Sequence, residues 1–219
     1  MWDVSLALSS VSKVSMSSSS MLNFRLYGHT GEVRSVCYSP DGLNIISGSE
    51  DQTIYMWDAH EGNQLMKLEG GHKDAINCVN YSPSGKSIVS GGADKLIVIW
   101  DAATGHQKMR LDSCSYAINC VAYSPDGLSV LAGSNNKVIW DLSMPSSLSR
   151  EKVITKQGHT NFVTCVAFSP DGELMISGGA DSSIVLWNRD GMFICRQDDH
   201  VGVVSCVAFS CDGKLVISR

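Results

Sequence analysis

The sequence has little that would tie it to a membrane or to a polyphosphate. Its uninterrupted apolar runs reach only a handful of residues, far short of the ~20 needed to cross a bilayer. No charged segment precedes an apolar stretch at its start, so neither a membrane span nor a secretory signal is expected. Lys and Arg number 17 against 22 Asp and Glu, for a net charge of −5, and no basic cluster occurs. The electrostatic footprint of nucleic-acid binding is missing. No C-x2-C pair stands among the eight cysteines, and these are spread over 219 residues. Reduced thiols in an intracellular compartment are therefore expected, the cytoplasm first and the nucleus as the alternative. No segment has the periodicity of an amphipathic helix. What remains is a chain 43% hydrophobic and 18% charged, enough for a core.

What the chain does have is a repeat. Ser-Pro pairs begin at Ser39, Ser82, Ser124 and Ser169, in steps of 43, 42 and 45, and Ser210 follows after 41 with Cys211 in the proline's place. Trp57, Trp100, Trp140 and Trp187 recur in step. His29 to Trp57, His72 to Trp100 and His159 to Trp187 are each 28 residues apart. A fixed period in this range marks a repeat architecture. The second unit reads as four short strands, Ile76–Tyr81, Lys86–Ser90, Leu96–Trp100 and Gln107–Leu111. Pro83-Ser84-Gly85, Gly91-Gly92-Ala93-Asp94 and Ala103-Thr104-Gly105 supply the turns between them.

Gly-His near the start of a unit, Ser-Pro-Asp-Gly in its middle, Ser-Gly-x-x-Asp before an apolar strand and Trp-Asp at that strand's end together resemble the WD-repeat (WD40) β-propeller family. The resemblance runs from about Leu26 to Arg219. It implies an all-β propeller of four-stranded antiparallel blades, with four full repeats and one incomplete repeat. The expected units are about 26–68, 69–111, 112–150, 151–196 and the incomplete 197–219, preceded by a partial repeat end and Ser-rich loop over 1–25.

His, Ser and Asp in every unit invite a hydrolase reading, since they are the parts of a catalytic triad. A catalytic site needs one such set, and this sequence supplies His29, Ser47, Asp51 and Trp57, then His72, Ser90, Asp94 and Trp100, then His159, Ser177, Asp181 and Trp187. Repetition points to architecture. The family resemblance implies a hydrogen-bonded chain from Trp through Ser and His to Asp inside each blade. The third unit departs from it, with Cys114 at the His position, Ala132 at the Ser position, and Asn135 or Asn136 near the lost Asp. That blade is expected to be the least rigid. Cys78, Cys120, Cys165 and Cys206 share one position of the first strand, on different blades, and read as small buried residues rather than a zinc site. No catalytic residue, metal site or cofactor is expected.

Both ends of the sequence fall mid-repeat. Met1-Trp2-Asp3 resembles a unit's closing Trp-Asp, and the last unit runs from His200 to Ser218-Arg219, where Arg219 replaces the glycine of Gly48, Gly91, Gly133 and Gly178. Val204–Phe209 and Lys214–Ser218 are its expected strands. Either a small ring closes imperfectly or a partner completes the sheet, and open edges would also allow self-association.

With the repeat skeleton assigned to architecture, specificity falls to outward positions that differ among units. By family resemblance the top face takes in Glu32, Arg34, Glu50, Ala75, Asn77, Ala93, Ala117, Asn119, Phe162, Thr164, Ala180, Val203 and Ser205. Phe162 is the aromatic of the set, to be weighed against packing over a neighbouring loop. The expected function is a non-enzymatic protein-interaction scaffold. The alternatives are a substrate-recruiting subunit of a cullin-type ubiquitin ligase, although the basic residue two positions after Trp-Asp is absent, or a truncated propeller completed by a partner.

Overall fold

The computed structural model describes residues 25–112, 115–135, 138–139, 153–154 and 158–219. The expectations for Met1-Trp2-Asp3, the Ser-rich loop, Cys114, Asn136 and Trp140 lie outside them.

Alternating and β-branched runs separated by turn residues form antiparallel meanders. The first sheet is β1 (Val33–Tyr38), β2 (Asn44–Ser49), β3 (Ile54–Asp58) and β4 (Gln64–Leu68). The second is β5 (Ile76–Tyr81), β6 (Ser87–Gly92), β7 (Ile97–Asp101) and β8 (Gln107–Leu111). A third follows with the shortest strands of the four-stranded sheets, β9 (Cys120–Tyr123), β10 (Val130–Gly133), β11 (Val138–Ile139) and β12 (Val153–Ile154). The fourth is β13 (Val163–Phe168), β14 (Leu174–Gly179), β15 (Ile184–Asn188) and β16 (Phe193–Gln197). A two-stranded fifth sheet pairs β17 (Val207–Phe209) with β18 (Val216–Ser218). These last strands are shorter than the sequence suggested. Each sheet keeps its strands in chain order, as propeller blades do. No helix long and apolar enough to cross a membrane occurs among the described residues.

The turn between the first two strands of a unit is built the same way in four units, and in the second Ser84 replaces the aspartate, its hydroxyl 3.2 Å from Ser82 Oγ. In the first, Ser39 Oγ donates to Asp41 Oδ1 at 2.5 Å and accepts from the Asn44 amide at 2.9 Å, while Gly42 takes φ +74°. Cys211 in place of proline leaves this intact, with Ser210 donating to Asp212 at 2.5 Å and Gly213 at φ +71°. The next turn differs from the sequence expectation. Gly91 and Gly92 remain in β6, and the left-handed residue is Lys95 at φ +70°, matched by Gln52 at +69° and Ser182 at +63°.

Those glycines answer to packing instead. The core lies between sheets: Ile46, Ile54 and Leu68 of the first meet Ile76, Val79 and Trp100 of the second, and three further clusters join the second to the third, the third to the fourth and the fourth to the fifth. At each junction a glycine on the second strand faces aliphatic side chains on or just before the first strand of the next sheet. A Cβ on Gly48 would stand 2.8 Å from both Ile76 and Val79, and one on Gly178 would stand 2.6 Å from Val204. Gly91 meets Ile118 and Val121, and Gly133 meets Val163, in the same way. Real carbon contacts do not come so close, so glycine sets the sheet spacing.

The sheets form an open array among the described residues. Among the described residues no hydrophobic cluster joins the fifth sheet to the first. Of the four equivalent cysteines Cys120 is buried, Cys78 and Cys165 are half-buried and Cys206 on the fifth sheet is exposed, which corrects the expectation that all four are buried.

Gly91→Ala should therefore cost ~1–3 kcal/mol by overpacking Ile118, while Gly202→Ala, where a Cβ meets nothing within 4 Å, should be near neutral. Urea unfolding of the two variants decides this, and equal midpoints would contradict glycine-set spacing.

Candidate functional site

The structure brings each sequence-selected His, Ser, Asp and Trp set together. The Trp57 indole N–H donates to Ser47 Oγ at 2.8 Å, Ser47 lies 2.8 Å from His29 Nε2, and His29 Nδ1 lies 2.8 Å from Asp51 Oδ2. A carboxylate can only accept, so Nδ1 carries the proton and Ser47 donates to Nε2. In the second unit the corresponding distances are 2.8, 2.7 and 3.0 Å along Trp100, Ser90, His72 and Asp94. In the fourth they are 3.0, 2.8 and 2.9 Å along Trp187, Ser177, His159 and Asp181.

This is triad connectivity without triad access. Ser47, Ser90 and Ser177 are buried, and each hydroxyl already accepts the indole proton above it. Nothing is left to present to a substrate carbonyl. Three of the thiols lie within the sheets' interior. Burial pushes Cys78 up and Cys165 to about 11, and it raises Cys120 well above its ordinary value. No cluster of three metal-ligating side chains occurs among the described residues.

The local sequence explains the geometry. Gly28, Gly71 and Gly158 precede the three histidines, and a Cβ on Gly28 or Gly158 would come within 2.9 or 2.6 Å of the indole ring. Glycine there lets the chain cross the face of the tryptophan. Gly92 serves the ring at its other end, since a Cβ would stand 2.6 Å from Asp94 Oδ1 and 2.7 Å from His72 Nδ1. Asp51, Asp94 and Asp181 also accept from the amides of Thr30, Lys73 and Thr160, at 2.9, 2.8 and 2.7 Å, tying the hairpin tip to the incoming segment.

Two features were not read from the sequence. Thr53 and Ser183, two residues after the aspartates, donate hydroxyl hydrogen bonds to Asp51 and Asp181 at 2.6 and 2.7 Å. The second unit has Leu96 there. Burial pushes the Asp51 carboxyl up, but the Thr53 hydroxyl, the Thr30 amide and His29 outweigh it and hold the group at about 2, against the usual 3.8. Asp94 and Asp181 are likewise held down against burial. The second feature is half a set in the fifth sheet, where His200 Nε2 lies 2.8 Å from Ser218 Oγ. The 18-residue His-to-Ser spacing of the other units was the signal for it.

The expected partner face divides. Asn77 donates to the Ile118 carbonyl at 2.8 Å, Asn119 to the Val163 carbonyl at 3.0 Å, and the Thr164 hydroxyl to the Val204 carbonyl. These three stitch each sheet to the next and are half-buried. Ala75 is buried outright. Arg34 reaches Glu50 at 2.5 Å and Asn77 at 2.6 Å, an exposed arrangement beside exposed Glu32. Phe162 is 51% exposed, although its amide donates to Asn161 at 2.8 Å, its carbonyl accepts from Ala180 at 2.8 Å, and it forms a β-bridge to Asn135 of the preceding sheet. Elsewhere, a cleft of about 500 Å³ between the first two sheets is lined by Tyr81, Lys86, Asp101 and Lys108, with Lys108 paired to Asp101 at 2.9 Å.

Asp94→Ala strands a buried, hydrogen-bonding His72 and should cost ~1–3 kcal/mol in urea unfolding; an unchanged midpoint would remove Asp94 from the network's stabilising role. The Asp51 stabilisation is complete above pH ~4 and is lost as pH falls through about 2, because the folded value lies below the unfolded one. Thr53→Val should raise the Asp51 value and move acid unfolding, followed by tryptophan fluorescence, to higher pH; no movement would show that the hydroxyl does not hold the carboxylate.

Residues 9–58, 62–101, 105–141, 150–188 and 191–218 match the family described as WD domain, G-beta repeat. The match 62–101 takes in β4 together with β5 to β7, so a repeat lends its first strand to the preceding sheet and locks the two together. Small ribosomal subunit protein RACK1y of Oryza sativa subsp. japonica is 46% identical over 50 residues, 23% of this chain and 15% of that protein. Cross-pathway control WD-repeat protein 2 of Flammulina velutipes is 47% identical over 45 residues, covering 20% and 14%. WD repeat-containing protein 38 of Homo sapiens is 45% identical over 42 residues, covering 19% and 13%. Each match thus spans at most 15% of the relative's length. With family repeats matched along most of its length and four-stranded meanders packed in series, the chain belongs to the WD-repeat (WD40) family of β-propeller proteins.

Proposed function

We propose that this chain is an intracellular, non-enzymatic scaffold that presents the face around Phe162 to a peptide or domain of another protein. Phe162 carries the reading. A half-exposed aromatic on a backbone held from three sides loses little freedom on binding, and such residues dominate interface energies. Glu32 stands at the first unit's position equivalent to Phe162, and it and the Arg34–Glu50 pair add exposed polar groups to the proposed face. Asn77, Asn119 and Thr164 hold the strands that present it. The hydroxyls and imidazoles that catalysis would need are buried in the tetrads. The RACK1 relatives are named as small ribosomal subunit proteins, which supports assembly with other macromolecules as the mode of action.

Phe162→Asp should lower partner recovery from cell extract at least about tenfold, read by quantitative mass spectrometry. Leu65→Asp, at an outer-strand position equally exposed at 51%, should leave it unchanged, and both variants should melt with the parent chain. Equal recovery by the two variants would overturn the assignment of this face.

A further inference from the structure

Two internal junctions of the array finish equivalent positions differently. Between the third and fourth sheets, Arg189 Nη2 donates to Asp126 of the Ser-Pro-Asp-Gly turn at 2.6 Å, and Glu173 Oε1 lies 3.7 Å from Arg189 Nη1. Arg189 follows Trp187-Asn188, so a guanidinium carried by the fourth sheet reaches the turn of the third. Between the first and second sheets two of these three residues are exchanged. Asp41 keeps the carboxylate, but Ala102 stands at the Arg189 position and Lys86 at the Glu173 position. The cleft of about 500 Å³ lies here, within the size range of small-molecule sites, with Asp41, Ala102 and Lys86 in its lining. Among the described residues neither Asp41 nor Lys86 has an ion-pair partner, and the two do not pair with each other. Lys108 brings no free charge, being paired with Asp101 at 2.9 Å.

The cleft also holds a polar group that the fold does not require. Tyr81 lines it and is 6% exposed, and its hydroxyl is the buried side-chain group left without a hydrogen-bond partner among the described residues. An unpaired buried hydroxyl costs stability. The equivalent residue of the fourth sheet, at the junction that Arg189 bridges, is Phe168, which has none. Burial, with Cys37 and Asp41 adding to it, pushes Tyr81 to about 12, so the group stays a hydroxyl able to donate and to accept.

We propose that the cleft between the first two sheets binds a small amino acid of the arginine type, its cationic end on Asp41 and the Tyr81 hydroxyl and its carboxylate on Lys86. The cation takes the part that Arg189 plays at the other junction. A cation alone would meet Lys86 uncompensated and an anion alone would meet Asp41, so the ligand carries both charges. Met56 and Ala102 give its aliphatic carbons an apolar wall. Phe162 is not part of this cleft, and the inference does not rest on the reading of that face.

L-arginine is the probe, titrated into the whole chain by calorimetry. Saturable one-to-one binding with a Kd of about 1 mM or tighter is expected. Tyr81→Phe and Ala102→Arg should each weaken it at least about fivefold, the first by removing the hydroxyl and the second by giving Asp41 an internal guanidinium. Agmatine, which lacks the carboxylate, should bind the parent chain about two- to fivefold more weakly than L-arginine, and Lys86→Met should erase that difference. Thermal melts check that each variant is folded, and Tyr81→Phe, which copies Phe168, should melt no lower than the parent. No saturation of the folded parent chain by millimolar L-arginine, or binding that Tyr81→Phe and Ala102→Arg both leave unchanged, would overturn the site. Equal affinity for agmatine and L-arginine would overturn the requirement for both charges.

Discussion

Neighbouring sheets are spaced by a glycine on the second strand of one that faces an aliphatic side chain at the start of the next. Everything larger depends on it. The four hydrophobic clusters are each shared between neighbouring sheets, so a single meander has no core of its own and is completed by what lies beside it. Stability in such an array is a sum over nearest-neighbour junctions. The side-chain amides of Asn77 and Asn119 reinforce those junctions through the next sheet's carbonyls.

Within the first, second and fourth sheets, the Trp, Ser, His and Asp set solves a different problem. A polar turn must be anchored to a dry interior without leaving a donor or acceptor unpaired. The indole N–H, hydroxyl, imidazole and carboxylate form one line, with every proton assigned by the carboxylate at its end. The same line encloses the serine oxygen, which already accepts the indole proton. Phe162 and the Arg34–Glu50 pair stay outside that network and exposed.

Much of this could be read from one-dimensional spacing. The 28-residue step from His to Trp and the recurring Ser-Pro-Asp-Gly identified the meander, because both are set by hairpin length inside a single sheet. Where the reading fell short, the cause lay in the adjoining sheet. Gly91-Gly92 looks like a turn, and only the presence of Ile118 and His72 reveals a steric role. Asn77, Asn119 and Thr164 look like surface variation until the next strand's carbonyls are in place. Thr53 and Ser183 escaped because the second unit, taken as the template, has Leu96 at that position.

Amide hydrogen exchange resolved strand by strand tests the nearest-neighbour account most directly. It predicts the slowest exchange in β6 and β7 of the second sheet, which is covered on both sides, and the fastest strand exchange in β1 and in β17 and β18 at the uncovered ends. Equal protection from β1 through β18, or an end sheet more protected than the second, would contradict it.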